Sequence, residues 1–293
     1  MAQSKSVQLR SMLKDDKLIV APGVYDGISA SVTNKMGFPA LYITGAGIAS
    51  SRIGKPDVGL ITMTEMIDSA RSISNISDVP VVCDIDTGYG NALNLMRTVS
   101  EFVDTKVAAV QIEDQITPKR CGHIANKQLV SKDEMVAKIK SAVEARGDSD
   151  LMLIARTDAI AVNGFEDAID RAKAYAKAGA DMLFVEAPTS REQMVEVNKI
   201  LTPLGVPLMV NLVTGGGKTP CLPVKELEEM GFRFAIYPMV CWAASIAGIE
   251  KSLGTLKKEG SLDSCEDFLT PFKDAFELVG ISKYVALEKK YLS

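Results

Sequence analysis

Val79-Pro80-Val81-Val82-Cys83-Asp84-Ile85-Asp86 is apolar for most of its length and then ends in acids. A near-continuous β-branched run of this kind suits a strand covered on both faces, as in a parallel sheet. Seven further runs have the same form, over residues 18–21, 40–44, 108–113, 151–157, 181–187, 207–212 and 232–238. Helix signals lie between them. Ser131-Lys132-Asp133-Glu134 reads as a capping box that opens a helix with Met135, Ile139 and Val143 on one face. Ser190-Arg191-Glu192-Gln193 opens another, with Met194, Val197 and Leu201 inward. Gly37, Gly179 and Gly231 stand where a helix stops just before a strand.

Strand then helix, eight times over, predicts an α/β chain folded as a (β/α)₈ TIM barrel. A doubly wound open sheet is the alternative. The barrel is favoured by what finishes each strand: Thr44-Gly45-Ala46-Gly47, Asp84-Ile85-Asp86, Glu113-Asp114, Arg156-Thr157-Asp158, Glu186 and Asn211. Barrel enzymes build their sites from the C-terminal ends of several strands, so one face should collect this chemistry. No low-complexity linker divides residues 1–293, which read as one barrel domain. Residues 243–293 form a helical extension, with helices over 243–256 and 268–292 joined by Lys258-Glu259-Gly260-Ser261.

Composition narrows the function classes. Hydrophobic residues make up 47% and charged residues 24% of the 293, which suits a folded enzyme-sized protein. The net charge of −4 argues against a nucleic-acid or anionic-membrane surface. The uncharged stretch over residues 234–249 contains Pro238 and is too short to span a bilayer comfortably. Met1-Ala2-Gln3-Ser4-Lys5-Ser6 has no apolar core behind it, so no secretory signal is expected. The five cysteines, an odd number without close pair spacing, read as reduced thiols in a cytoplasm.

Asp84 and Asp86, spaced i and i+2, should share one side of a strand. Glu113 ends the next strand and would be their lateral neighbour. Three carboxylates without a nearby histidine or thiolate pair suit Mg²⁺ or Mn²⁺ and not zinc. The alternative for either aspartate is a cap on the turn Gly88-Tyr89-Gly90. A long loop follows the fourth strand and carries Pro118-Lys119-Arg120-Cys121-Gly122-His123, which includes the sole histidine. Lys119 and Arg120 lower the thiol pKa of Cys121 and nearby acids raise it, a balance that suits proton transfer near the working pH. The competing reading of Cys121 is a buried small hydrophobe, and that of the whole run a solvated loop. Gly215-Gly216-Gly217-Lys218-Thr219 fails the phosphate-loop pattern, because Leu212 stands where the first glycine is required. It remains a candidate carboxylate or phosphate cradle. Arg156 is either a carboxylate clamp or a barrel-mouth partner of Glu186 or Asp158.

Together these motifs resemble the isocitrate lyase and phosphoenolpyruvate mutase superfamily. The resemblance rests on residues 111–123, on Asp84-Ile85-Asp86-Thr87-Gly88-Tyr89-Gly90, and on Pro22-Gly23-Val24-Tyr25-Asp26. Thr44-Gly45-Ala46-Gly47 and Ile154-Ala155-Arg156-Thr157-Asp158 also carry it. The Lys-Arg-Cys-Gly-His run is similar to the carbon–carbon lyase branch, in which the cysteine donates a proton from a mobile loop. Residues 211–220 are similar to the branches that cleave 2,3-dimethylmalate or rearrange carboxyphosphonoenolpyruvate. The resemblance implies a Mg²⁺-dependent lyase that splits a 2-hydroxy dicarboxylate to pyruvate and a second acid. Rival readings are a phosphonomutase, an oxaloacetate hydrolase or decarboxylase, and a non-catalytic keto-acid-binding barrel.

The implied roles follow residue by residue. Asp84 holds the metal, with Asp86 and Glu113 acting through water. Tyr42, Thr44, Gly45, Gly47 and Asp57 line the keto-acid site, together with Gly122, Glu186 and Asn211. Cys121 is the proton donor, supported by Lys119, Arg120, His123 and Arg156, and Tyr42 is a candidate base. Ala46 and the extra glycine in 215–217 depart from some members and bear on substrate size. A homotetramer, a dimer of dimers with C-terminal helices swapped between subunits, is also implied.

Overall fold

The computed structural model describes residues 3–122, 124 and 126–292. Eight parallel strands close into a barrel in chain order: β1 Ile19–Val24, β2 Leu41–Ile43, β3 Val81–Asp84, β4 Ala109–Glu113, β5 Met152–Thr157, β6 Met182–Val185, β7 Leu208–Asn211 and β8 Phe234–Tyr237. Helix α1 (Lys5–Met12) precedes the barrel, and α2 (Gly27–Lys35), α3 (Gly45–Ile53) and α4 (Met63–Ile76) cross between the first strands. Helices α5 (Ala92–Val103), α6 (Lys132–Arg146), α7 (Phe165–Ala178), α8 (Arg191–Leu201) and α9 (Val224–Met230) make the remaining crossovers. The tail is α10 (Val240–Glu259), α11 (Phe272–Leu278) and α12 (Ile281–Tyr291). The barrel expectation is met. No helix among the described residues is long and apolar enough to cross a membrane.

Side-chain alternation divides the apolar residues into two clusters. Ile43, Cys83, Val110, Leu153, Leu183 and Val210 face outward and pack with helix residues such as Met66, Val99 and Phe102. Tyr42, Val82, Ala109, Met152, Ile154, Phe184 and Met209 fill the barrel, and Leu9 and Leu13 of the α1 region belong to the same cluster. A period of two extends each inward column upward. Val82 leads to Asp84, Gln111 to Glu113, Ile154 to Arg156, Phe184 to Glu186 and Met209 to Asn211. The site is therefore the polar top layer of the barrel interior, standing on apolar layers.

Two details differ from the sequence reading. β3 ends at Asp84, so Asp86 is not on the strand and takes a left-handed φ of 50°. A turn, not strand alternation, brings it beside Asp84: the Asp86 N–H donates to Asp84 Oδ1 at 3.1 Å, and the Asp86 carbonyl accepts from Glu113 N–H at 2.9 Å. The expected helix over 268–292 is two helices, because Pro271 starts α11 and Gly280, at φ 82°, separates it from α12. Both N-caps form, Ser131 accepting from Glu134 N–H and Ser190 from Gln193 N–H, but the return bond from the Glu134 side chain that a full capping box requires is not made.

Candidate active site

A cavity of about 340 Å³ opens over the polar layer. Tyr42, Thr44, Asp57, Asp84, Cys121, Gly122, Arg156 and Asn211 are among its polar lining. Ala46, Ile124, Val213, Ile236, Pro238, Met239 and Trp242 supply its apolar lining. Residues from five of the strands and from the segments that follow them thus meet where barrel geometry directs them.

Asp84 Oδ1 is held by the Asp86 N–H and, at 3.2 Å, by the Gln111 side-chain amide. That leaves Oδ2 turned toward Gly45. A Cβ on Gly45 would lie 3.1 Å from Asp84 Oδ2 and 3.4 Å from Asp86 Oδ1, so both carboxylates converge over the first turn of α3. Burial first, and Asp86 second, pushes Asp84 up to about 7. Burial also raises Glu113 well above the usual carboxylate range, against the pull of Arg156. Glu113 Oε1 is buried without a partner among the described residues. These features fit a hard divalent cation: oxygen donors, excess buried negative charge and an orphaned carboxylate oxygen. No three acidic, histidine or cysteine side chains close into a full metal shell among the described residues. One or two direct carboxylates with water completing the shell is the Mg²⁺ pattern.

Lys119 stands against this acidic group, with Nζ 2.5 Å from Asp57 Oδ1 and 2.9 Å from Asp86 Oδ1. Burial alone would lower its pKa, but Asp86 and Asp57 outweigh it and hold the ammonium well above its ordinary value. Lys119 is therefore a fixed cation and not a proton carrier. Arg156 spans the other side. Its Nε and Nη2 donate to the two oxygens of Asp158 at 2.9 and 3.0 Å, and Nη1 lies 3.3 Å from Glu113 Oε2. Its guanidinium sits 5.3 Å above the Phe184 ring, an apolar floor with a favourable π face. Arg156 is thus a barrel-mouth partner of Asp158, as one of its two readings expected, and it also lines the cavity.

The loop from residue 115 to 129 crosses this layer. Gln115 forms a bridge with Leu129, and its side chain grips the Arg120 main chain, donating to the carbonyl at 2.8 Å and accepting from the N–H at 2.9 Å. Gly122 is required by close approach. A Cβ there would stand 2.4 Å from Arg156 Nη2 and 3.1 Å from Glu186 Cγ. Glu186 is fully buried beneath and accepts from the Asn211 amide at 3.3 Å. Cys121 is thereby carried to the cavity wall.

Several expected sites take different positions. Tyr42 is not placed to act as a base: its hydroxyl donates to Gln111 Oε1 at 2.8 Å, and burial followed by Asp84 raises it well above 10. Tyr42, Gln111 and Asp84 form a chain that aims the carboxylate. Tyr42→Phe is accordingly expected to reduce kcat by no more than about tenfold, the scale of one buried hydrogen bond. A loss of several orders of magnitude in steady-state assays would restore Tyr42 as the base. Arg120 is exposed and outside the cavity, because the loop uses its main chain rather than its guanidinium. Gly47 lies against Tyr25 and Thr44, where a Cβ would come within 2.8 Å of either, so it serves close packing and Ala46 faces the cavity instead. The 215–217 glycines do not line the cavity. His123 lies outside the described residues.

Sequence reasoning gave no role of their own to Gln111, Lys127 and Asp114. Gln111 had a signal, a polar side chain at an inward position of an apolar run. Lys127, in a polar loop, had none. Its buried Nζ donates to the Gly122 carbonyl at 2.5 Å and to Asp158 Oδ1 at 2.6 Å.

The chain is similar along most of its length to known proteins. The family profile described as phosphoenolpyruvate phosphomutase matches residues 9–257. A 2,3-dimethylmalate lyase of Eubacterium barkeri is 40% identical over 286 residues, 98% of each chain. A 2-methylisocitrate lyase of Aeropyrum pernix is 41% identical, covering 94% of this chain and 87% of its own. Among solved structures, oxaloacetate acetylhydrolase with 3,3-difluorooxalacetate superposes with a TM-score of 0.93 at 38% identity, over 98% and 97% of the two chains. A phosphonopyruvate hydrolase complex with oxalate and Mg²⁺ superposes at 0.89 and 27% identity, over 99% and 100%.

Proposed function

The chain belongs to the phosphoenolpyruvate mutase/isocitrate lyase superfamily, and on that premise we propose that it is a Mg²⁺-dependent carbon–carbon lyase. Its substrate in this reading is a 2-alkylmalate such as 2,3-dimethylmalate, split to pyruvate and a second carboxylic acid. The observation that carries the reading is one cavity lined by Cys121, Arg156 and Asp84 together with an apolar wall.

That wall also favours one substrate class over its relatives. Among the described residues lining the cavity, Arg156 is the one cation, and Ile236, Pro238, Met239 and Trp242 offer no counter-charge to a charged substituent. A third carboxylate, as in 2-methylisocitrate, or a phosphonate dianion would be desolvated there without a compensating cation. An alkyl group gains instead, by roughly 0.8 kcal/mol per buried CH₂.

Asp84, with Asp86 and Glu113 behind it, would hold the metal, which when bound supplies a Lewis acid for the 2-hydroxyl and adjacent carboxylate. Arg156 steadies the oxygen on which negative charge develops, in a site where water is scarce. With the Tyr42 phenol committed to Gln111 and Asp84 to the metal, the acceptor at the wall for the hydroxyl proton is the Asp57 carboxylate. As the C2–C3 bond breaks, its electron pair moves onto C3 of the leaving acid. The Cys121 thiol delivers a proton to that carbon, and Asn211 with the Gly122 main chain bounds the product. The chain acts in the cytoplasm in this reading, as a homotetramer in which the exposed apolar residues of α10–α12, Leu253, Phe272 and Val285 among them, seat on neighbouring copies. Light scattering should return the mass of four chains.

Assays with 2,3-dimethylmalate, 2-methylisocitrate, oxaloacetate and carboxyphosphonoenolpyruvate in the presence of Mg²⁺ test the substrate. The highest kcat/KM is expected for 2,3-dimethylmalate, with pyruvate formed. A higher value for any of the others overturns the assignment.

A further inference from the structure

We propose that Lys127 is the positioning residue that couples the seat of the 115–129 loop to the orientation of Arg156. The inference rests on Cys121 working from that loop, as proposed above, and does not depend on which substrate is cleaved.

The Lys127 ammonium is 1% exposed and has two acceptors, the Gly122 carbonyl at 2.5 Å and Asp158 Oδ1 at 2.6 Å. The first adjoins Cys121. The second belongs to the carboxylate that receives both Nε and Nη2 of Arg156. Asp158 is itself fixed, since its N–H donates to Asp114 Oδ1 at 2.9 Å and Asp114 Oδ2 accepts from the Tyr175 hydroxyl at 2.8 Å. Burying an ammonium costs several kcal/mol unless its partners recover it, so simple space filling does not account for a lysine here. What the lysine does, and an apolar residue could not, is tie a loop carbonyl to the anion that orients the Arg156 guanidinium.

Lys119 completes the arrangement. It holds the same loop to Asp57 and Asp86, on the opposite side of Cys121 in sequence. The loop thus has two buried ammonium anchors, one on the metal-side acids and one on the Arg156-side acid. With Lys127 gone, the Gly122 carbonyl loses its donor, and Asp158 is left to Arg156 alone. Cys121 then rises from the cavity, and the Asp158–Arg156 geometry relaxes with it.

The test uses the intact protein with Lys127→Met and Lys127→Gln, and reads Cys121 alkylation by iodoacetamide through peptide mass mapping, with and without oxalate and Mg²⁺. The wild type should be protected by oxalate and Mg²⁺. Both variants should alkylate roughly tenfold faster in the free protein, the scale of a lost charge-assisted hydrogen bond, and should lose most of that protection. With the cleaved substrate, kcat should fall by roughly 10- to 100-fold while KM moves far less. Lys127→Gln keeps a donor for Asp158 but cannot reach both acceptors, so it decides the matter if Lys127→Met does not fold. A folded Lys127→Gln protein with wild-type alkylation and protection overturns the proposal. So does a lowered thermal midpoint without faster Cys121 alkylation, which marks a merely structural lysine. Failure to turn over any 2-alkylmalate counts against the substrate assignment alone, because alkylation reports the loop directly.

Discussion

Cys121→Ser is expected to lower kcat by roughly 10²- to 10⁴-fold, the range spanned by general acid catalysis, with oxalate and Mg²⁺ binding nearly unchanged. The substitution is almost isosteric, so Gly122 keeps its seat against Arg156 and Glu186 and the loop keeps both lysine anchors. What changes is acidity: a hydroxyl is a far weaker acid than a thiol and delivers a proton to carbon poorly. Single-turnover chemistry should slow as much as kcat. Calorimetric titration with oxalate should show an affinity within a few-fold of wild type. Retention of near-full turnover would remove Cys121 from the reaction and move the proton source elsewhere on the cavity wall.

Arg156→Leu should cost both activity and stability. The guanidinium is the shared counter-charge of Asp158 and Glu113, both fully buried, and Glu186 also feels its charge. Removing one partner of a buried ion pair typically costs about 3–5 kcal/mol, since the remaining charge stays desolvated. Asp158 is spared the full effect because Lys127 remains; Glu113, whose carboxylate already lacks a partner at one oxygen, is not. Loss of charge stabilisation at the reacting oxygen should lower kcat/KM by roughly 10²- to 10³-fold. Arg156→Lys keeps a point charge but cannot reproduce two donors to Asp158 and a third toward Glu113, so it should recover stability more than activity. Calorimetric unfolding and steady-state kinetics separate these effects. An Arg156→Leu enzyme with wild-type kcat/KM would confine the residue to scaffolding.

The barrel and the layer that carries the chemistry were legible because both follow from a period of two within short strands. Once 108–113 reads as a strand, Gln111 and Glu113 face the same way as Ala109, and the other strand ends follow the same rule. The Asp84–Asp86 spacing led to the right pair through the wrong geometry, since a left-handed turn at Asp86 does what strand alternation was expected to do. Tyr42 shows where such reading stops. Its inward direction is a local property, but its partner Gln111 lies 69 residues away, and that partner turns a candidate base into an orienting donor. Lys127 is harder still: nothing near it in sequence announces that Asp158, 31 residues on, will hold it in the interior. The break at Pro271 and Gly280 in the tail was visible as residue types and outweighed by apolar periodicity.

The clasp between Gln115 and the Arg120 main chain, with the Gln115–Leu129 bridge, has a kinetic consequence. A segment stapled to itself keeps its internal shape wherever its two ends place it. Its residues surrender their backbone freedom when the chain folds, at about 1–2 kcal/mol each, and little of that cost remains for the moment of substrate capture. The thiol is then held ready at the cavity wall, and the rate at which it can lift away is set by release of the lysine contacts.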